Sequence, residues 1–144
     1  MNNTLLTPLH DVNKVKKNEA SSHFFIIFLN RLEGWKTKCK NLHWSAPNRS
    51  IHIYLDEFLE ILNTYQDGLA EGYMGILGQM EPNVIKGIPS EKIDALSFIY
   101  EVRDVTLIFY NSIPEDTVYK GITSDCETFI QAINKYIYLF KLCF

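Results

Sequence analysis

Four residues near the middle of the chain carry side chains suited to binding a metal ion. His52 and Asp56 are four residues apart, and so are Asp67 and Glu71. In an α-helix this spacing puts both members of a pair on neighbouring turns of one face, where they can reach one ion. The two pairs are separated by 15 residues, or roughly 22 Å along a helix axis, which is too far for a single metal site.

Two interpretations of these pairs follow from the geometry. The commoner case is that i, i+4 polar pairs simply lie on a solvated helix face. Alternatively, a second copy of the helix runs antiparallel across a two-fold axis and brings the His52 pair of one chain to the carboxylate pair of the other, making two sites per dimer. A mixture of imidazole and carboxylate suits iron or a neighbouring divalent metal better than a thiolate zinc site.

The elements that must position these residues are amphipathic helices. Apolar residues recur at intervals of three and four in four segments, and no segment alternates convincingly with period two. Ser21 or Ser22 is the expected N-cap of the first helix, and Ser90 with Glu91 is expected to open the third. The expected helices cover roughly 21–44, 51–77, 90–113 and 122–140.

Four helices of this kind in a chain of 144 residues are best buried as a four-helix bundle. The connection between the second and third helices has about 12 residues by this assignment, enough to return along the bundle. The predicted fold is therefore all-α, a ferritin-like four-helix bundle with a long crossover after the second helix. The bundle domain is expected to span 21–144, and residues 1–20, which show little periodicity, to form a flexible N-terminal arm.

Composition excludes several classes of protein. The formal charge of −3 argues against binding nucleic acid through a bulk positive field. The longest apolar run, 24–29, is far too short to span a membrane. Three cysteines without metal-ligand spacing fit a reducing compartment, so a soluble cytoplasmic protein is expected, with Cys39 and Cys126 as small core residues.

His43 and Trp44 stand at the end of the first expected helix, just before the turn into the second. Taken alone, His43 is most simply a packing residue and Trp44 a core anchor. Together with the residues downstream, however, they complete a pattern that resembles the DNA-binding proteins from starved cells (Dps), which are small ferritin-like proteins that oxidise iron. The matching residues are His43-Trp44, His52-x3-Asp56, Asp67-Gly-Leu-Ala-Glu71 and Leu77-Gly78.

The resemblance implies a hollow homododecamer of four-helix subunits that oxidises Fe(II), preferentially with hydrogen peroxide, stores ferric mineral and protects against oxidative damage. It implies a ferroxidase centre shared across a two-fold axis. His43, His52 and Asp56 would come from one chain, and Asp67 and Glu71 from its partner. Trp44 would lie beside the site. Three lysines of the expected arm resemble the tails by which some members contact DNA: Lys14, Lys16 and Lys17.

The sequence also departs from the family pattern. The loop between His43 and His52 is about three residues shorter than is usual in the family, and Gly72 stands where arginine is common. No Glu-x-x-His motif of an ordinary intrabundle di-iron site occurs. The alternative is a ferritin-like structural or assembly subunit of a cellular or viral particle, with an idle metal site or one that binds zinc or manganese without redox turnover.

Overall fold

A computed structural model describes the backbone of residues 8–144 and the side chains of residues 23–144. This part of the chain contains no β-strand, which confirms the all-α prediction. A short 3₁₀ turn, Thr117–Tyr119, precedes the last helix. The four helices are α1 (Pro8–Trp44), α2 (Arg49–Leu77), α3 (Ala95–Ser112) and α4 (Lys120–Lys141).

Contacts between α1 and α2 show that these helices run antiparallel. The ring centroids of Phe25 and Tyr73 are 5.7 Å apart, and the Cys39 thiol donates to the Leu55 carbonyl oxygen at 3.1 Å. Residue numbers thus rise along α1 as they fall along α2. Ring contacts show that α2 and α4 are also antiparallel.

Contacts between α1 and α3 show a second antiparallel pair. Phe28 stacks on Phe109 with ring centroids 3.9 Å apart, and Trp35 Nε1 donates to the Glu101 carboxylate at 3.0 Å. Because α2 and α3 are both antiparallel to α1, they point in the same direction. The connection formed by residues 78–94 must therefore return along the bundle before α3 begins.

This connection is hydrogen-bonded to α1 where it crosses that helix. The Asn30 side chain accepts hydrogen bonds from the Lys86 and Gly87 backbone N–H groups, and its amide donates to the Val84 carbonyl oxygen at 3.0 Å. One turn later, a β-carbon on Gly34 would overlap the Ile88 carbonyl oxygen. Asn30 and Gly34 thus fix the path of the crossover over α1.

The core matches the predicted apolar stripes. The α2 stripe from Ile51 to Tyr73 is buried, and Cys39 and Cys126 are buried as expected. Trp35 is the largest fully buried side chain.

Two helix starts differ from the sequence prediction. The first helix already includes residues 8–20 and does not begin at Ser21 or Ser22. The third begins at Ala95 and not near Ser90, because the Asp94 carboxylate accepts from the Ser97 backbone N–H at 2.8 Å and caps it. The expected arm, 1–20, lies outside the residues whose side chains are described.

No helix in the described part of the chain is long and apolar enough to cross a membrane.

Candidate metal centre

The turn between α1 and α2 positions the first candidate ligands. Asn48 caps α2 by accepting from the Ile51 backbone N–H at 3.0 Å, and the Ser45 hydroxyl donates to the Asn41 carbonyl oxygen at 2.9 Å. These local bonds end α1 and begin α2, and only residues 45–48 separate the two antiparallel helices. His43 and His52, nine residues apart in sequence, are therefore adjacent in space.

His43 and His52 are joined by a reciprocal pair of hydrogen bonds. Nδ1 of His43 lies 2.7 Å from the His52 carbonyl oxygen, and Nδ1 of His52 lies 2.8 Å from the His43 carbonyl oxygen. A carbonyl oxygen only accepts, so each Nδ1 must carry the proton. In the neutral form of each ring, Nε2 is then left with its lone pair, the arrangement typical of a metal-binding histidine.

The two rings are stacked, with centroids 3.8 Å apart and planes inclined by 19°. An imidazole nitrogen binds a metal along its lone pair, which lies in the ring plane. Because the two planes are nearly parallel, the lone pairs of His43 and His52 do not converge on one point. One ring must turn before both histidines can ligate the same ion.

Asp56 lies one helical turn after His52 on the exposed side of α2. Burial raises the pKa of the Cys39 thiol to about 12, and the negative charge of Asp56 makes a smaller contribution in the same direction. Cys39 is therefore a protonated core residue, and the carboxylate of Asp56 is the candidate ligand at this position.

Asp67 and Glu71 form the second candidate group, on the solvent-exposed face of α2. The Asp67 carboxylate, by hydrogen bonding and by its charge, raises the pKa of the Glu71 carboxyl group. Two carboxylates this close repel each other when both are ionised, and a cation bound between them relieves that repulsion.

The structure brings His43 to His52 and Asp67 to Glu71, but it does not bring the two groups together. Within the described residues of one chain, no three or more His, Cys, Asp and Glu side chains are grouped so that they could hold a metal ion. A site that uses both groups requires a second copy of the chain.

Trp44 is not a core anchor, since 73% of its side chain is exposed. It follows His43 directly at the end of α1, beside the first candidate group. The side chains of Lys14, Lys16 and Lys17, the candidate DNA contacts, fall outside the described residues.

The glycines of α2 have different surroundings. A β-carbon on Gly72 would meet the Ile122 side chain at 3.5 Å, an ordinary contact, whereas β-carbons on Gly68 and Gly75 would meet nothing within 4 Å. Packing inside the chain thus does not require glycine at these positions.

Sequence reasoning missed the acidic residues that hold the helices together. The Tyr136 hydroxyl donates to the Glu57 carboxylate at 2.9 Å, and Trp35 bonds to Glu101 as described above. Both pairs join different helices, so no local spacing could reveal them. Asn30 with Gly34 one turn later was the one available signal of a chain crossing a helix.

No protein-family model, curated protein or solved structure matches this chain.

The titration of Glu71 provides a test of the carboxylate pair. We expect Asp67→Asn to lower the pKa of Glu71 toward the ordinary glutamate value, because the substitution removes the neighbouring negative charge. NMR titration of the Glu71 carboxyl carbon in both proteins measures this shift. Glu60→Gln, which removes a charge elsewhere on the exposed face of α2, should leave the Glu71 titration nearly unchanged. An identical Glu71 titration in Asp67→Asn would contradict the pairing.

Proposed function

We propose that this protein oxidises Fe(II) at a site shared by two chains, as a Dps-like subunit. The observation that carries the proposal is the reciprocal bonding of His43 and His52. It fixes the proton of each ring on Nδ1 and leaves the Nε2 lone pair available to a metal, and His52, Asp67 and Glu71 are all exposed on α2.

The helix directions support ferritin-like connectivity for the bundle. The parallel arrangement of α2 and α3, joined by a connection that crosses α1, is the one expected of ferritin-like folds with a single long crossover. An up-down-up-down bundle would place α2 and α3 antiparallel with a short turn between them.

Assembly completes the site in this proposal. Two copies of α2 pair antiparallel across a two-fold axis, so that His43, His52 and Asp56 meet the partner subunit's Asp67 and Glu71. One histidine ring turns out of the stack to bind. Six such dimers form a hollow dodecamer, whose mass from 16.7 kDa chains is about 200 kDa.

The reaction uses iron as its substrate and hydrogen peroxide as its oxidant. Each peroxide accepts one electron from each of two Fe(II) ions, its O–O bond breaks, and the two oxygens leave as hydroxide or, with protons, as water. The carboxylates offset the charge of the ions, and the histidines orient them. Trp44, which follows His43 and is exposed, is proposed to intercept oxidising radicals.

Lys14, Lys16 and Lys17 are proposed as weak DNA contacts that repetition in a shell would strengthen. The protein is proposed to act in the cytoplasm.

A titration tests the function directly. Oligomer separated by size is titrated anaerobically with Fe(II), and peroxide is then added. Ferric absorbance is recorded for this protein and for the His52→Ala, Asp67→Ala double variant. We expect saturation at about two irons per chain or fewer, with fast oxidation that the double variant lacks. Binding no stronger than in the variant would contradict the proposal.

A structural or assembly subunit is the second candidate function. Its supporting observation is that large apolar side chains are exposed at the end of the bundle formed by the α1–α2 turn and the C-terminus of α4, notably Trp44, Tyr138, Leu142 and Phe144. Exposed aromatic residues are enriched in protein interfaces. An assembled particle with no iron-dependent absorbance would favour this candidate.

A further inference from the structure

A groove runs between α2 and α4, on the side of α2 away from α1. Its volume is about 700 Å³, within the range of small-molecule sites. The stacked rings of Tyr65 and Phe129, with centroids 4.1 Å apart, form its floor. Ile61 and Ala132 extend this apolar surface. Gly68 leaves one wall open, since a β-carbon there would meet nothing.

Negative charge lies at both ends of the groove. Glu57 and Glu60 line one end and Asp125 lines the other, and no lysine, arginine or histidine lines it. Since Tyr65 and Phe129 stack, their side chains mark a common level. Glu60 precedes Tyr65 by five residues, and Asp125 precedes Phe129 by four. Because α2 and α4 are antiparallel, the two carboxylates lie on opposite sides of that level. The carboxylates are thus roughly 14 Å apart along the helix axes.

Hydroxyl groups occupy the middle of the groove. Thr64 and Thr128 line it between the two acidic ends, and each hydroxyl oxygen can accept a hydrogen bond. The Tyr65 hydroxyl beside the floor is buried and has no hydrogen-bond partner, although the weakly bonding Cys126 thiol adjoins it. A ligand that fits has donors in its middle as well as at its ends.

The size of the accessible apolar surface indicates a small molecule. Tyr65, Phe129 and Tyr136 are already buried within the chain, so they leave only a narrow apolar strip, whereas a protein partner ordinarily covers about 800 Å². The electrostatics indicate a cation. The Lys135 ammonium lies 5.5 Å from the Tyr136 ring centroid, so a ring that lines the groove already has a cation beside it.

We propose that this groove binds a linear polyamine, with its terminal ammonium groups at Glu57 and Glu60 and at Asp125. The methylene segments lie on the Tyr65 and Phe129 rings, and the internal ammonium groups donate to the threonine hydroxyls. Length is the source of selectivity, because a short diamine cannot reach both ends. Polyamine binding does not depend on the proposed iron chemistry, although Glu60 shares the exposed face of α2 with Asp67.

Calorimetric titration of the full chain at low ionic strength tests the proposal, with spermine as the long probe and putrescine as the short one. Mg²⁺ serves as a compact dication, and decylamine as an apolar monocation. We expect spermine to bind about tenfold or more tightly than each of the other three, since every additional ion pair contributes up to about 1 kcal/mol, or fivefold. Equal binding of spermine and putrescine, or of spermine and Mg²⁺, would overturn it, because surface charge alone would then explain binding.

Two matched glycine variants locate the site without unfolding the protein. Gly68→Leu places a side chain in the groove, whereas Gly75→Leu places one on the same helix outside it, and both β-carbons have open space. We expect Gly68→Leu to weaken spermine binding about tenfold and Gly75→Leu to change it less than about twofold. Equal effects of the two variants would overturn the proposal.

The last part of the test removes the negative charge at the Asp125 end of the groove. Asp125→Asn should weaken spermine binding about three- to fivefold and leave putrescine, bound at the other end, nearly unchanged. Glu115→Gln, an exposed carboxylate outside the groove, is the control for lost charge. Equal loss of spermine affinity in both variants would show binding to the general acidic surface and contradict the proposed site.

Discussion

Replacing Gly34 with alanine is expected to lower the free energy of unfolding by about 3 kcal/mol, at the upper end of the usual cost of overpacking. A β-carbon at this position would overlap the Ile88 carbonyl oxygen, and backbone cannot swing aside as a side chain can. The Ile88 backbone N–H also bonds to the Asn30 carbonyl oxygen at 2.9 Å. Moving the crossover would therefore strain this bond and the neighbouring contacts of the Asn30 side chain. Urea denaturation followed by circular dichroism measures the effect.

Gly68→Ala is the matched control for this prediction. It also replaces a helical glycine, but its β-carbon meets no atom within 4 Å. Alanine is favoured over glycine inside a helix by about 1 kcal/mol, so this variant should be slightly more stable than the natural protein. If Gly34→Ala were as stable as Gly68→Ala, the crossover would not pass over α1 at this point.

Asp67→Ala is expected to reduce the rate of peroxide-driven Fe(II) oxidation by at least about 100-fold, because it removes a proposed direct ligand and even supporting residues around a metal contribute 10- to 100-fold. The exposed position of Asp67 means that the helix should remain folded. Stopped-flow ferric absorbance measures the rate, and circular dichroism verifies the fold.

Asp125→Ala is the control for Asp67→Ala. It removes an exposed aspartate from α4, outside the proposed metal ligands. We expect this variant to oxidise iron at close to the natural rate. Normal turnover by Asp67→Ala would contradict the assignment of the ligands, and equal losses in both variants would indicate an effect of overall charge.

The helices were predictable where burial follows a regular period. The α2 stripe is a case in point, since Ile51, Leu55 and Phe58 all face the core. The predicted start of α3 was wrong because both Ser90 and Asp94 are residues that can cap a helix. Only the folded chain decides which of them does so. Ser90 instead lies in the connection before α3, where its hydroxyl accepts from the Lys92 backbone N–H.

The exposure of the candidate ligands on α2 was predictable from their spacing, whereas the arrangement of their side chains was not. Spacing along α2 correctly placed His52, Asp56, Asp67 and Glu71 on an exposed face. The stacking of His43 on His52 depends on the turn geometry and on side-chain rotamers, which spacing does not specify. The groove escaped prediction because its acidic ends come from two helices that only the fold brings together.

Mixing two inactive variants tests the central proposal, a site shared between chains, most directly. His52→Ala chains keep the carboxylate group and Asp67→Ala chains keep the histidine group. In a mixed dimer, one of the two shared sites is therefore intact, while both homodimers have none. After equal amounts are unfolded and refolded together, half of the dimers are mixed, so we expect roughly a quarter of the natural oxidation rate. Activity no higher than that of the separate variants would contradict a site shared between chains.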